Sequence, residues 1–412
     1  MAVVKAFRAV RPKKEYASLV AALPYDVMNS AEARQKVKGN KYSFLHVDKA
    51  EIDLPEDIDI YDEKVYLKAG ENLKKLVSDG VCEQEAKPAF YIYRQIMNGR
   101  SQTGLVCCAS IDDYLNNTIK KHENTVAAKE ADRINHVDYC DANTGPIFLT
   151  YRNNAQISAI IESYTENNGS EYDFVSENVR NTVWVIDDDE IIAKLSSLFS
   201  AVPALYIADG HHRSASAVKV GLKRREQNPG FTGDEEFNYF LAVLFPDTEL
   251  AVMDYNRTVR DLNGMSEEGF LQKLSEKFDI EPENEAYRPE KRHTFGLYLG
   301  GKWYKMRLKE GVADEADPLA RLDVSILQNE VLSPLLGITD PRADKRIDFI
   351  GGIRGLGELE KRCSEDMCAA FSMYPTSIAD LMAIADSGNV MPPKSTWFEP
   401  KLLSGLFIHN LS

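Results

Sequence analysis

The stretch Ala204–Val218, ALYIADGHHRSASAV, constrains the fold more than any other part of this 412-residue chain. ALYIADG reads as an apolar strand and RSASAVKVGLKRREQ as a helix. The passage between them places free backbone N–H groups, and the positive end of the helix dipole, just past Gly210. That arrangement attracts anions. Gly210 lets a ligand approach the backbone closely. Arg213 offers a planar fork of donors suited to phosphate oxygens. His211 and His212 add donors that need no charge. Asp209 can hold a metal ion or orient a hydroxyl. Ser214 and Ser216 fall in the first helical turn, where their hydroxyls can reach a phosphate. The set suits a polyphosphate. Transition-metal binding by the His211–His212 pair ranks second, because adjacent helical residues point apart and no further His or Cys lies nearby in sequence. A polar capping turn is the plain alternative. Nucleophilic catalysis by Ser214 lacks the GxSxG elbow.

The remaining pattern is mixed α/β. VKAFRAVRP reads as a strand, and SAEARQKVKG as a helix with Ser30 as N-cap and Gly39 past its end. DEKVYLKAGENLKKLVSDG is a helix that closes on Gly80. PAFYIYRQIMNGRSQTGLVCCASI reads as a hairpin around Asn98-Gly99, and HTFGLYLGGKWYKMRLK as another around Gly300-Gly301. A domain boundary is expected near Asp261–Met265. The apolar GLFIH of the last residues predicts that the tail packs back on the protein.

Other polar clusters share the style of the DGHHR turn. In IKKHENTVAAKEADRINHV, Glu123 beside His122 and two lysines suits a general base; a solvated helix start capped by Asn124 or Thr125 is the alternative. LPYDV brings Tyr25 and Asp26, explained by a turn as well as by a ligand pocket. MDYNRTV contributes Asn256 and Arg257 at a strand end, and MPPKSTWFEPK contributes Lys394, Ser395 and Thr396. All are candidate substrate contacts.

Composition narrows the classes. A net charge of −15 disfavours a nucleic-acid groove, which needs clustered Lys and Arg. It leaves room for a local basic pocket and a small phosphorylated ligand. No apolar run is long enough to span a bilayer, so no membrane partner is expected. MAVVKAFRAVRPKKEY lacks a signal-peptide core, so the chain reads as cytoplasmic. The six cysteines fit a reducing compartment as small buried hydrophobes, with no zinc spacing.

The HE pair followed by DGHHR on a strand–helix turn resembles the ParB/sulfiredoxin-like fold, whose members grip nucleotide phosphates with a Gly-x-His-Arg or Gly-x-Arg-Arg box. Its enzymatic members include the free L-serine kinases. Over its full length, through LPYDV, YSFLHVDKAEID, KHENT, DGHHR, YNRTV and MPPKSTWFEPKLLSGLFIH, the chain is similar to a bacterial and archaeal family of formerly unknown function described as serine-kinase-like. The resemblance implies an α/β fold with a ParB/sulfiredoxin-like core over 91–262, flanked by α/β regions at 1–90 and 263–412. It implies transfer of a phosphoryl group to the hydroxyl of free L-serine from ATP, ADP or pyrophosphate with Mg2+. Glu123 would take the hydroxyl proton, Asp209 would position the hydroxyl or Mg2+, and His211, His212, Arg213 and nearby amides would hold the donor phosphates. Association into homo-oligomers is left open. A ParB-like nucleotide-binding regulator without kinase activity is the competing reading. A sulfiredoxin-like reductase is disfavoured, because His211 stands where that reaction needs a cysteine.

Overall fold

The computed structural model describes residues 1–412. The fold is mixed α/β and divides into two compact units, Met1–Leu250 together with Pro400–Ser412, and Ala251–Glu399.

The first unit is built on a nine-stranded sheet. Its strands run in the order Ile119–Lys120, Leu205–Asp209, Ile147–Tyr151, Tyr239–Pro246, Arg100–Ser110, Phe90–Met97, Val179–Ile186 and Tyr172–Ser176, with Val4–Lys5 paired to the end of Arg100–Ser110. Central strands such as FLAVLF and LVCCAS are fully buried, which explains their continuous apolar runs. Met97 pairs with Arg100 across a two-residue turn, and Asn98 and Gly99 both take positive φ there, as the hairpin twist requires. Two strand pairs are parallel: Tyr239–Pro246 with Ile147–Tyr151, and Leu205–Asp209 with Ile119–Lys120. The second of these pairs positions the site. All six cysteines are free, and Cys82, Cys107, Cys108 and Cys140 are buried.

The second unit carries a six-stranded antiparallel sheet in the order Phe278–Glu283, Lys302–Leu308, Thr294–Leu299, Ala369–Ser372, Tyr255–Val259 and Ile347–Gly351. Leu299 pairs with Lys302 across Gly300-Gly301, both at positive φ. Leu359 of the Gly357–Glu365 helix packs on Trp303, Ile350 and Ala370 of this sheet.

The structure differs from the sequence expectations in three places. The units divide at Leu250–Ala251, ahead of Asp261–Met265, because Tyr255–Val259 pairs within the second sheet. Residues 1–90 form no separate unit, since Val4–Lys5 joins the large sheet and Val10 bonds Ile408 of the tail. Asn29, not Ser30, caps the Ser30–Lys36 helix, forming a capping box with Glu32, while Ser30 Oγ donates to Glu51 at 2.7 Å. No helix is long and apolar enough to cross a membrane.

Candidate active site at the DGHHR turn

Leu205 pairs with Ile119 and Tyr206 with Lys120 in parallel register. Parallel neighbours end on the same side of a sheet, so the chain beyond Lys120 and the chain beyond Asp209 emerge together. This is the carboxyl end of the strands, where α/β sheets hold their ligands. A shift in register between Ile207 and Asp209 against Ile147–Tyr151 marks the exit. Gly210 follows at φ +93°, and the 17-residue helix His211–Gln227 begins.

Both histidines of the turn brace the loop that carries Glu123. His211 Nε2 accepts from the backbone N–H of His122 at 3.4 Å, and His212 Nε2 accepts from the backbone N–H of Val126 at 3.0 Å. The rings of His122 and His211 meet edge to face, 4.4 Å apart at 90°. Burial holds His211 neutral, well below the ordinary histidine range, and the adjacent His122 adds to that effect. Burial also pushes His122 down to about 4, against a hydrogen bond to the Ile207 carbonyl. A neutral His211 that accepts at Nε2 carries its proton on Nδ1. That atom lies 4.0 Å from Oε2 of Glu123, whose side chain is 39% exposed.

His122, Glu123 and His211 each place one potential ligand atom within 4.8 Å of the others. Nδ1 of His122 is buried and has no hydrogen-bond partner. Two imidazoles and one carboxylate suit a borderline transition ion and not Mg2+, which prefers oxygen. Tertiary structure thus brings His122 and Glu123 to His211, while His212, the other half of the pair considered in sequence, is not part of the group. Ligation through His211 Nδ1 would require it to give up the bond from His122 N–H.

Asp209 lies 3.4 Å from Lys401 Nζ and 3.7 Å from Arg213 Nη2. Burial opposes its charge, but Lys401 and Arg213 outweigh burial and hold the carboxyl well below the usual carboxylate range. A carboxylate facing two fixed cations is a poor ligand for Mg2+, so the residues here do not fit that ion at Asp209. Arg213 is turned under Gly210, where an added Cβ would meet its Nε at 3.2 Å, and its Nη1 donates to the Pro146 carbonyl at 2.5 Å. Part of the fork expected to face phosphate is therefore committed within the protein. Ser214 and Ser216 lie away from any phosphate on the turn. Both are fully buried; Ser214 Oγ donates to the Gly210 carbonyl at 3.0 Å and Ser216 Oγ to the Glu130 carbonyl at 3.1 Å. The hydroxyls tie the helix to its own start and to the Ala127–Cys140 helix, and do not reach the open side of the turn.

Tyr25 does join this end of the sheet. Arg133 lies over its ring at 4.0 Å, and burial pushes its hydroxyl up to about 12. Asp26 stays exposed on the same loop. Asn256, Arg257, Lys394, Ser395 and Thr396 belong to the second unit. There Arg257 is buried, donates to the carbonyls of Tyr255 and Lys394, and stacks on Phe349, while Asn256 bonds Asp254 and the Met373 N–H. Ser395 Oγ donates to the Pro392 carbonyl. Lys401, His136 and Asp48 carry no signal in the sequence that marks them as site residues, and Arg133 stands there only as one member of the polar IKKHENTVAAKEADRINHV cluster. Lys401 stands inside WFEPKLL and Asp48 inside HVDKAEID, but nothing in their spacing shows what they meet.

Residues 4–325 match the family described as "Protein of unknown function (DUF1015)", and the chain belongs to it. No curated protein matches the sequence. Among solved structures, a free serine kinase variant in complex with AMP is 14% identical with a TM-score of 0.38, covering 74% of this chain and 89% of that one. A free serine kinase variant in complex with ADP is 14% identical with a TM-score of 0.37, covering 74% and 90%. A conserved hypothetical protein from Pyrococcus furiosus is 15% identical with a TM-score of 0.36, covering 76% and 97%. Likeness at this level carries no argument about activity.

Proposed function

We propose that this protein is a phosphotransferase that moves a phosphoryl group from a nucleotide or pyrophosphate to the hydroxyl of a small molecule, with free L-serine as the acceptor that its motifs imply. The supporting observation is the tether: two turn histidines hold the 122–126 loop so that a partly exposed Glu123 faces the open N-terminus of a long helix. Phosphoryl transfer needs mainly positioning and charge neutralisation, and this end of the sheet offers both. On this reading Glu123 takes the proton of the acceptor hydroxyl, aligned by the Nδ1–H of neutral His211. The hydroxyl oxygen forms a bond to the terminal phosphorus of the donor, and the bond from that phosphorus to its bridging oxygen breaks. The leaving group, which is ADP, AMP or phosphate according to whether ATP, ADP or pyrophosphate is the donor, keeps the electron pair on that oxygen. The first-turn amides and the face of Arg213 left open take the donor phosphates, with Lys401 adding charge. Mg2+ enters only as a companion of those phosphates.

The test is phosphorus NMR of the protein with L-serine and Mg2+, offered ATP, ADP and pyrophosphate in separate tubes. An O-phosphoserine signal is expected in one of them. Glu123→Gln should abolish that signal while donor affinity stays within a factor of about three. Full turnover in the variant would overturn the base assignment. Donor binding with no transfer to L-serine by the unaltered protein would favour the nucleotide-binding regulator.

A further inference from the structure

We propose that a recess behind the DGHHR turn, walled by Tyr25, Asp48, Arg133, His136, Arg213 and Ser404, is a binding site for the carboxylate group of a small molecule. It gives LPYDV, HVDKAEID and the tail, which the turn leaves without a role, one common place.

The walls come from distant parts of the first unit: the 24–25 loop, the 45–48 turn, the Ala127–Cys140 helix, the start of the His211–Gln227 helix and the tail. The recess encloses about 30 Å3. That exceeds the roughly 10–15 Å3 a single water needs and is far too small for a nucleotide base. With its mouth it spans about 450 Å3. Gly145 keeps it open: a Cβ there would lie 3.0 Å from Ser404 Oγ and 3.5 Å from Arg213 Nη1.

Charge identifies the occupant. The permanently charged groups that line the wall are the guanidiniums of Arg133 and Arg213, set against the one carboxylate of Asp48. Asp132 accepts from Arg133, Asp209 faces Arg213 and Lys401, and Asp48 lies 3.6 Å from His136 Nε2 while accepting from Thr144 Oγ1 at 3.0 Å. Burial opposes charge on His136, while the Cys140 sulfur and Asp48 beside it push its value up to about 9. Two lining guanidiniums against one lining carboxylate leave the wall positive. An uncompensated buried charge is costly, and one monoanion cancels it. The planar guanidinium of Arg133, 4.0 Å over the Tyr25 ring, matches a carboxylate in shape. A phosphate dianion would overshoot the charge in a space this small. Arg213 lines the recess and also reaches Asp209, so a molecule anchored here by its carboxylate extends toward the turn.

This inference rests on the recess and not on phosphoryl transfer, and it is tested without a donor. Titration calorimetry on the full chain at pH 7 should show glycolate and L-serine binding, while ethanolamine, which lacks only the carboxylate of serine, should not bind. Arg133→Gln should weaken both about tenfold or more, as expected for a lost charged hydrogen bond. Gly145→Ala fills the recess without changing its charge, and should remove binding in a protein whose near-ultraviolet circular dichroism is unchanged. The proposal is overturned if neither carboxylate binds, if ethanolamine binds as well as they do, if inorganic phosphate displaces glycolate as readily as L-serine does, or if Gly145→Ala binds normally. A protein that binds carboxylates and never transfers phosphate keeps this site and loses the kinase reading.

Discussion

Five buried or partly buried residues give this protein opposing responses to pH. His122 and His211 are held neutral, so folding disfavours their protonation. Their folded values lie below the unfolded one, so stability is full above about 6.5 and falls as the pH drops from there toward about 4. His136 has the opposite sign. Its stabilisation is present below about 6.5 and is lost as the pH rises through about 9. Asp48 and Asp209 are depressed, so their contributions fade only at more acid pH. A melting temperature measured across pH 4.5–9.5 should therefore peak near neutrality. His136→Gln should flatten the alkaline side and His122→Gln the acid side; an unchanged alkaline slope in His136→Gln would refute its raised value. The base role of Glu123 also belongs to this scale and is decided by Glu123→Gln, as above.

At the scale of elements, the strand–turn–helix unit depends on one glycine. Gly210 adopts φ +93° with the Arg213 side chain directly beneath it. Gly210→Ala would add left-handed strain of about 1–2 kcal/mol and press a methyl group onto Arg213. Urea unfolding should show a loss of at least that size, together with weaker donor binding as Arg213 shifts; an unchanged midpoint would show the turn to be more plastic than drawn. Elements were legible wherever their signals are local. Asn98-Gly99 and Gly300-Gly301 stand where two successive residues need positive φ, and the apolar runs around each are strands. Ser30 misled because Asn29 and Ser30 are both good caps, and a distant partner, Glu51, engages Ser30. The boundary near Asp261 misled because MDYNRTV looks like a strand in any sheet. Which sheet it joins depends on Ile347–Gly351 and Ala369–Ser372, about a hundred residues downstream.

On the scale of the whole molecule, the chain's last residues complete the first unit. Ile408 bonds Val10, Ser404 bonds Ala22, His409 pairs with Asn143, and Lys401 faces Asp209. Leu402, Leu403, Leu406, Phe407, Ile408 and Leu411 are all buried. At roughly 1.5–3 kcal/mol for each buried side chain, the six together are worth about as much as the ~5–15 kcal/mol by which a domain is stable. A chain ending at Glu399 should show no cooperative unfolding of the first unit and no amide protection over Phe90–Met97 in hydrogen exchange. Protected amides there would show that the tail is an accessory. The sequence alone determined the mixed α/β class, the two tight hairpins, the helix after Gly210 and the packing need of GLFIH. Each follows from residues within a few positions, whose φ preferences and apolar periodicity act locally. Only the tertiary structure decided that His122 meets His211, that Lys401 neutralises Asp209, that Ser214 turns inward, and that Tyr25, Asp48 and Arg133 share one recess. Those contacts depend on the order and direction of strands in the sheet. Strand periodicity leaves both free, and the parallel pairing of Ile119–Lys120 with Leu205–Asp209 sets them here.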